Sequence, residues 1–457
     1  MQEPVTVNDQ TADRELLDFV MRTPKWFFGS SFALATGVLA GLLVFLTMLN
    51  WGLQFLGYSH PVYWGFLIVN FVFWIGISHA GVMISAILRI AQAEWRRPVT
   101  RAAEIVTVFS LITALIFPII HSGRPWRTLY WAFPYDWMRG MWPNPRSPLV
   151  WDPAAIMTYL TSTILFVYIA LIPDLAIARD RATGPVRRAV FGVLAMGFRG
   201  TSRQWRMQAV AGILLSALIL PIFVSVHSIV SWDFAVTLIP GWHSTTFAPY
   251  FVIGAVHSGV SAVVMAMIVI RKIFKLQNYI TADHIDSLAR LLIAVAMTWF
   301  FFLMLDFFFG LYGTEPAEVD TWMRRIFEGP WPVLVIIFAL CAFIIPVPMW
   351  LFRNVRRSFK WMFVTTILVN IGMWIERFML VVPALERKSS LTFVYGDYTP
   401  SLSEFILVLS SFCLVGLGVL VFAKILPLMP VADIKEGKIL GQEMKIGRAD
   451  VPATIRE

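Results

Sequence analysis

Ten long, mostly apolar stretches separated by short polar connections set the pattern of this chain. They fall at 27–50, 62–90, 102–121, 154–178, 205–230, 247–273, 286–311, 331–352, 359–383 and 402–426. A helix rising 1.5 Å per residue crosses a hydrocarbon core of roughly 30 Å in about 20 residues, so each stretch is a span candidate. Lipid offers no partners to backbone N–H and C=O groups, and a helix satisfies them internally. The pattern predicts an all-α integral membrane protein of ten transmembrane helices. The third stretch is the shortest and most polar, and it ends at Pro118 and His121. No soluble domain is expected between spans, and the residues from Pro430 onward read as an extended polar tail. The segment 15–26, with Leu16, Leu17, Phe19 and Val20, is expected to lie on the inner surface as a short amphipathic helix. No cleavable signal peptide is expected, because the first 26 residues lack a short apolar core.

Charge then orients the helices. Lys and Arg gather before the first span and after the second, fourth, sixth, eighth and tenth, as in Arg89, Arg96, Arg97 and Arg101. The opposite connections carry few. By the positive-inside rule both termini are expected in the cytoplasm. The net charge of +9 lies in these short loops, so it reads as a topology signal and not as a nucleic-acid surface. Only 14% of the 457 residues are charged and 58% are hydrophobic, too apolar for a water-solvated fold. The two cysteines, Cys341 and Cys413, sit in apolar runs and make no CxxC or CxxCH pattern. They read as buried thiols, and no metal site is expected. Any redox cofactor is then non-covalent or belongs to a partner.

Two spans share a motif. Phe73-Trp-Ile-Gly-Ile-Ser-His79-Ala-Gly-Val in the second aligns with Phe251-Val-Ile-Gly-Ala-Val-His257-Ser-Gly-Val in the sixth, bringing glycines 76/254 and 81/259 into register. Either a Gly-rich helix with one histidine recurs by chance, or two four-helix bundles form a parallel repeat, spans 2–5 and 6–9, flanked by spans 1 and 10. On the second reading the chain divides into an amino-terminal segment (1–26), a first helix (27–61), two bundles (62–230 and 231–383), a tenth helix with its preceding outer loop (384–429) and a tail (430–457).

Ionisable groups are costly inside a bilayer, so each is a functional candidate. His121 ends a helix that runs outward, and Asp152, in Trp151-Asp-Pro153, starts the next at the same level. Asp152 suits a helix cap followed by proline. The pair equally suits oxidation of a quinol, whose two hydroxyls each lose a proton as electrons leave. His79 and His257 lie near mid-membrane as packing residues, proton-relay members or haem ligands. Asp174, near the inner end of the fourth span, is either a relay inlet or solvated by headgroups. Glu376 and Arg377 are adjacent and so are expected to need separate partners, with Asp306 a candidate for Arg377; a structural salt bridge and a catalytic role both fit. The connection from Arg124 to Asp152 carries Trp126, Tyr130, Trp131, Phe133, Tyr135, Trp137, Trp142 and Trp151. It reads as an interfacial aromatic belt, a docking surface for an outer-face protein, or both.

Asn370–Phe378, the His121–Arg127 stretch, the histidine-glycine helix pair and the ten-helix layout together resemble the NrfD/PsrC-type membrane subunits over nearly the whole chain. Within that family the chain is most similar to the ten-helix branch, the C-type membrane component of bacterial alternative complex III (ActC). The resemblance implies a menaquinol-oxidising subunit without haem or iron–sulfur cluster of its own. His121 and Asp152 would be its catalytic residues, with Arg124 and Tyr159 as further substrate contacts. Electrons would pass to a periplasmic iron–sulfur subunit and on to c-type cytochrome subunits, with a second NrfD-like subunit alongside in a bacterial inner membrane. It also implies proton movement along His79, Asp174, His257, Asp306, Glu376 and Arg377. Two other classes stay open: a haem b cytochrome, pairing His121 with His227 and His79 with His257, and a secondary transporter, suggested by the repeat and the buried charges.

Overall fold

The computed structural model describes residues 9–127, 146–387, 395–440, 443–446 and 449–452. Within them lie ten helices long and apolar enough to cross a membrane, and the chain is a ten-span membrane protein. The spans are Lys25–Trp51, Phe66–Ile90, Glu94–His121, Pro148–Arg181, Ser202–Ala235, Phe247–Ile273, Ala282–Tyr312, Pro332–Leu351, Phe359–Glu386 and Leu402–Ile425, numbered 1 to 10 below.

Burial separates them into inner and outer helices. Span 2 is buried over 89% of its most apolar stretch and span 6 over 72%, against 11% for span 1. Span 2 packs on spans 3, 5 and 6; span 6 packs on spans 5, 7 and 9; span 8 lies on span 9, and span 1 on span 10. The motif glycines explain the contact between spans 2 and 6. A Cβ on Gly259 would collide with the Ala80 Cβ, and one on Gly76 would touch Ala255. Gly81 faces the backbone of Ala103 on span 3, where a Cβ would strike the carbonyl oxygen. Lipid supplies no hydrophobic drive between helices, so close packing of small residues has to hold them together. The free thiol of Cys413 has a similar packing role, filling the space that Gly37 leaves between spans 10 and 1.

Helix ends carry their own signals. Ser401 and Glu404 form a reciprocal capping box at the start of span 10, and the Glu404 carboxylate also accepts from the Gly57 amide at 2.8 Å and the Tyr398 hydroxyl at 2.6 Å. This ties the 52–65 connection to span 10. Thr201 and Gln204 cap span 5 in the same way.

Three expectations change. The tail is folded, with a helix over Val431–Leu440 and a short antiparallel hairpin pairing Glu443–Ile446 with Ala449–Pro452. Asp174 is not solvated by headgroups: it is 1% exposed, pairs with Arg101 at 2.9 Å and accepts from the Ala432 amide of the tail at 2.9 Å. Arg96 and Arg97 reach Asp433 and Glu436 at 3.1 and 2.9 Å. Burial pushes the Asp433 carboxyl up, but the guanidinium groups of Arg96, Arg89, Arg97 and Arg101 outweigh it and hold the carboxyl below its usual range. The amino-terminal helix, Asp9–Met21, buries Leu16, Leu17 and Val20 and packs on span 10 and the tail helix. Lys424 of span 10 donates to the carbonyls of Phe19, Val20 and Arg22 at 2.9–3.1 Å, a cation at a helix carboxyl end. Span 3 starts eight residues ahead of the expected 102, at Glu94, because the arginines that seemed to end the apolar run are neutralised by the tail.

Replacing Arg101 with leucine would leave Glu104 and Asp174, both 1% exposed, without their cation. Removing one partner of a buried ion pair typically costs about 3–5 kcal/mol. The expected outcome is lower thermal stability in detergent and protease cleavage between the end of span 10 and the tail helix. A tail that stays protected would refute the clamp.

Candidate functional site

At the opposite end from the tail, spans 2 to 5 enclose a cavity of about 240 Å³. Span 2 and its approach contribute Trp64, Ile68 and Phe71, span 3 Pro118 and His121, span 4 Leu149 and Asp152, and span 5 Asp233 and Phe234. The walls are largely apolar and aromatic, with His121, Ser122, Asp152 and Asp233 as the polar groups that line it. His121 and Asp152 thus line one space.

Each is placed by its own element. Span 4 begins at Pro148, with Ser147 ahead of it, so Asp152 is not the helix cap; it lies inside the first turns, 2% exposed. Starting the helix earlier turns the carboxyl inward, toward span 5. There Asp152 and Asp233 come together and line the same cavity. His121 closes span 3, and its Nδ1 lies 3.2 Å from the Tyr58 hydroxyl. Tyr58 belongs to the 52–65 connection and stacks on Tyr398, which Glu404 holds.

Tyr58 and Asp233 were not singled out from the sequence. Asp233 lies three residues past the expected end of the fifth span at 230, although Ser231-Trp-Asp-Phe-Ala235 holds no helix breaker and the helix runs through it. Arg124 is exposed and does not line the cavity, and Tyr159 lies deeper. The Tyr159 hydroxyl donates to the Ser78 carbonyl at 2.8 Å and its ring stacks on His79 at 4.8 Å. His79 hydrogen-bonds through Nδ1 to the Ile75 carbonyl and packs edge-on against His227, ring centroids 4.7 Å apart. His257 lies instead against Trp299, at 5.4 Å. His79 thus packs with Tyr159 and His227, while His257 packs with Trp299, so the two histidines sit in separate surroundings.

In the other half, Glu376 and Arg377 pair with each other, Oε2 to Nε 3.2 Å, which corrects the expectation of separate partners. Adjacent side chains on a helix diverge, but a long guanidinium arm can fold back over its neighbour. Arg377 also lies over the Phe251 ring at 4.6 Å, in room that Gly254 leaves. Glu376 accepts from the Tyr250 hydroxyl. Asp306 accepts from Ser244 and Thr246 at 2.6 and 2.9 Å, so it is held by hydroxyls and not by Arg377. No group of three or more His, Cys, Asp or Glu placed to hold a metal ion occurs among the described residues. The aromatic connection expected to serve docking lies largely outside the described residues, at 128–145.

The comparisons with known proteins agree on one family. The chain is 26% identical over 288 residues to a putative dimethyl sulfoxide reductase membrane subunit of Halobacterium salinarum, a match covering 62% of this chain and 60% of that relative. It is 22% identical over 421 residues to a subunit of the selenate reductase of Mesobacillus selenatarsenatis, covering 86% and 92%. The profile of the family described as polysulphide reductase, NrfD, matches residues 55–387, which include every cavity residue above. The chain belongs to the NrfD family of membrane proteins.

Proposed function

We infer that the cavity at His121 binds a quinol and that this chain is the quinol-oxidising membrane subunit of an electron-transfer complex. The observation that carries the reading is the convergence of one imidazole and two carboxyl groups on a single apolar cavity. A quinol is a flat aromatic ring with two hydroxyls on an apolar tail. Its oxidation to quinone releases two electrons and two protons. The ring suits the Trp64, Phe71 and Phe234 walls. One hydroxyl proton would pass to the His121 imidazole, oriented by Tyr58, and the other to a carboxyl of the Asp152–Asp233 pair. Imidazole and carboxyl would thus act as general bases within hydrogen-bond reach of opposite ends of the ring.

The electrons have no carrier on this chain's site residues and would leave to a partner. Both relatives are named as subunits of reductases, which supports reading this chain as one subunit of a larger redox assembly. The ten spans and the His121–Asp152 pair favour the alternative complex III type, with menaquinol as substrate. Its partners would be a periplasmic iron–sulfur subunit, c-type cytochrome subunits and a second NrfD-like subunit. The basic residues at the tail end favour a cytoplasmic location for that end and for both termini, so the His121 cavity would face the periplasmic side. The two-bundle division, spans 2–5 and 6–9 flanked by 1 and 10, belongs to the same reading. Proton translocation would use the buried polar groups between the two faces. Besides those named from the sequence, span 3 carries Glu104, Thr107, Ser110 and Thr113 on its buried side, between Arg101 and His121. The hydroxyls of Thr107, Ser110 and Thr113 have no hydrogen-bond partner among the described residues, a setting that suits ordered water.

Two substitutions test the chemistry. Asp152→Asn and His121→Phe should each lower quinol:acceptor turnover by roughly a hundredfold or more, the usual contribution of a general base, in a complex that still assembles. Near-normal turnover of either variant would remove that residue from the site. Tyr58→Phe keeps the ring contacts and loses one hydrogen bond to His121, worth about 0.5–1.5 kcal/mol. Turnover should fall by roughly two- to tenfold, the rate equivalent of that energy, and an unchanged pH profile would show that Tyr58 does not orient the imidazole.

A further inference from the structure

Spans 6 to 9 contain a second cavity of nearly the same size, about 250 Å³. Its walls are aromatic. Phe300 and Phe343 stack at 4.3 Å with their planes 16° apart, and Trp299 meets Phe338 edge-on at 5.8 Å. Its polar end holds Tyr250, Asp306, Arg325 and Glu376. Its mouth reaches Ile344, which is 53% exposed on the apolar surface of span 8. A ligand would therefore enter sideways, from lipid.

Two widened helical turns border this space. The Ile345 amide donates to Leu340 at 3.0 Å and the Gly329 amide to Arg324 at 2.9 Å, each reaching back five residues. Such turns carry one residue more than an α-helix and recur at functional sites. The first bulges the wall of span 8 at Phe343, where Gly372 lets span 9 approach the Ala342 backbone. The second carries Arg325.

Two donors on residues that line the cavity are unused. Trp299 Nε1 and Arg325 Nε have no hydrogen-bond partner among the described residues, and both side chains are buried, 0% and 5% exposed. The carboxylates are engaged: Asp306 by Ser244 and Thr246, Glu376 by Tyr250 and Arg377. An anionic headgroup would meet Arg325 but also both carboxylates, which weighs against fatty acids and anionic phospholipids. A neutral flat ring bearing a carbonyl meets no such penalty and would accept from the free N–H groups.

We propose that this cavity is a second binding site for the headgroup of a membrane quinone, in spans 7 to 9. The inference concerns binding alone, and its ligand class rests on the quinol reading of the His121 cavity.

The test is photolabelling of the assembled complex in lipid nanodiscs with a naphthoquinone carrying a ring-linked diazirine and a short isoprenoid tail, followed by peptide mapping. Two labelled regions are expected, one around spans 3 and 4 and one in spans 7 and 8. Leu303→Trp and Ile344→Trp, which fill the second cavity and its mouth, should each lower the span 7–8 label at least fivefold and leave the other unchanged. Absence of label in spans 7 and 8 of the unaltered complex, or label there that neither substitution reduces, would overturn the proposal. Label in spans 7 and 8 with none at the His121 cavity would uphold it and count against the quinol reading instead.

Discussion

A buried polar group in a lipid-embedded protein has to find its partner inside the protein, and this constraint governs the whole molecule. Where the groups are paired with one another they act as structure. Arg101, Glu104 and Asp174 form a buried charge cluster that receives the tail amide of Ala432, so one end of span 3 is closed by its own carboxyl-terminal segment. Asn70 and Trp74 both donate to Ser411, fastening span 10 to the central helix. Isolated charges would cost several kcal/mol each in that setting; paired, they fix which helices sit together.

At the other end the same constraint is met differently. Asp152 and Asp233 lie together on the wall of one cavity. His121 has Tyr58 on one ring nitrogen. The largely apolar walls leave these groups to meet whatever enters. A site that takes up protons as electrons leave needs this combination of apolar walls and proton-accepting groups.

Much of the fold was legible in the sequence because hydropathy reports the one property that a bilayer demands. All ten spans were readable, and the glycines at 76, 81, 254 and 259 marked the helices that pass through the centre. The polar chemistry was only partly legible. His121 and Asp152 stood out as costly residues at matching levels, but Asp233 was lost with a helix end placed too early. The role of Asp174 depends on Ala432, 258 residues away in sequence, and no local pattern announces such a contact. The fold-back of Arg377 on Glu376 was missed for a related reason: spacing on a helix gives the direction in which side chains leave the axis, not where long ones end. The cavity in spans 7 to 9 depends on two widened turns that hydropathy does not register.

The central claim is that a quinol ring sits between His121 and the Asp152–Asp233 pair. A cryo-electron-microscopy map of the assembled complex, prepared with saturating menaquinol under reducing conditions, tests it most directly. Ring density is expected in that cavity, with one oxygen about 2.6–3.2 Å from His121 and the other at the same range from Asp152. Ring density confined to the tail end of the helices, with the His121 cavity closed over its side chains, would contradict it.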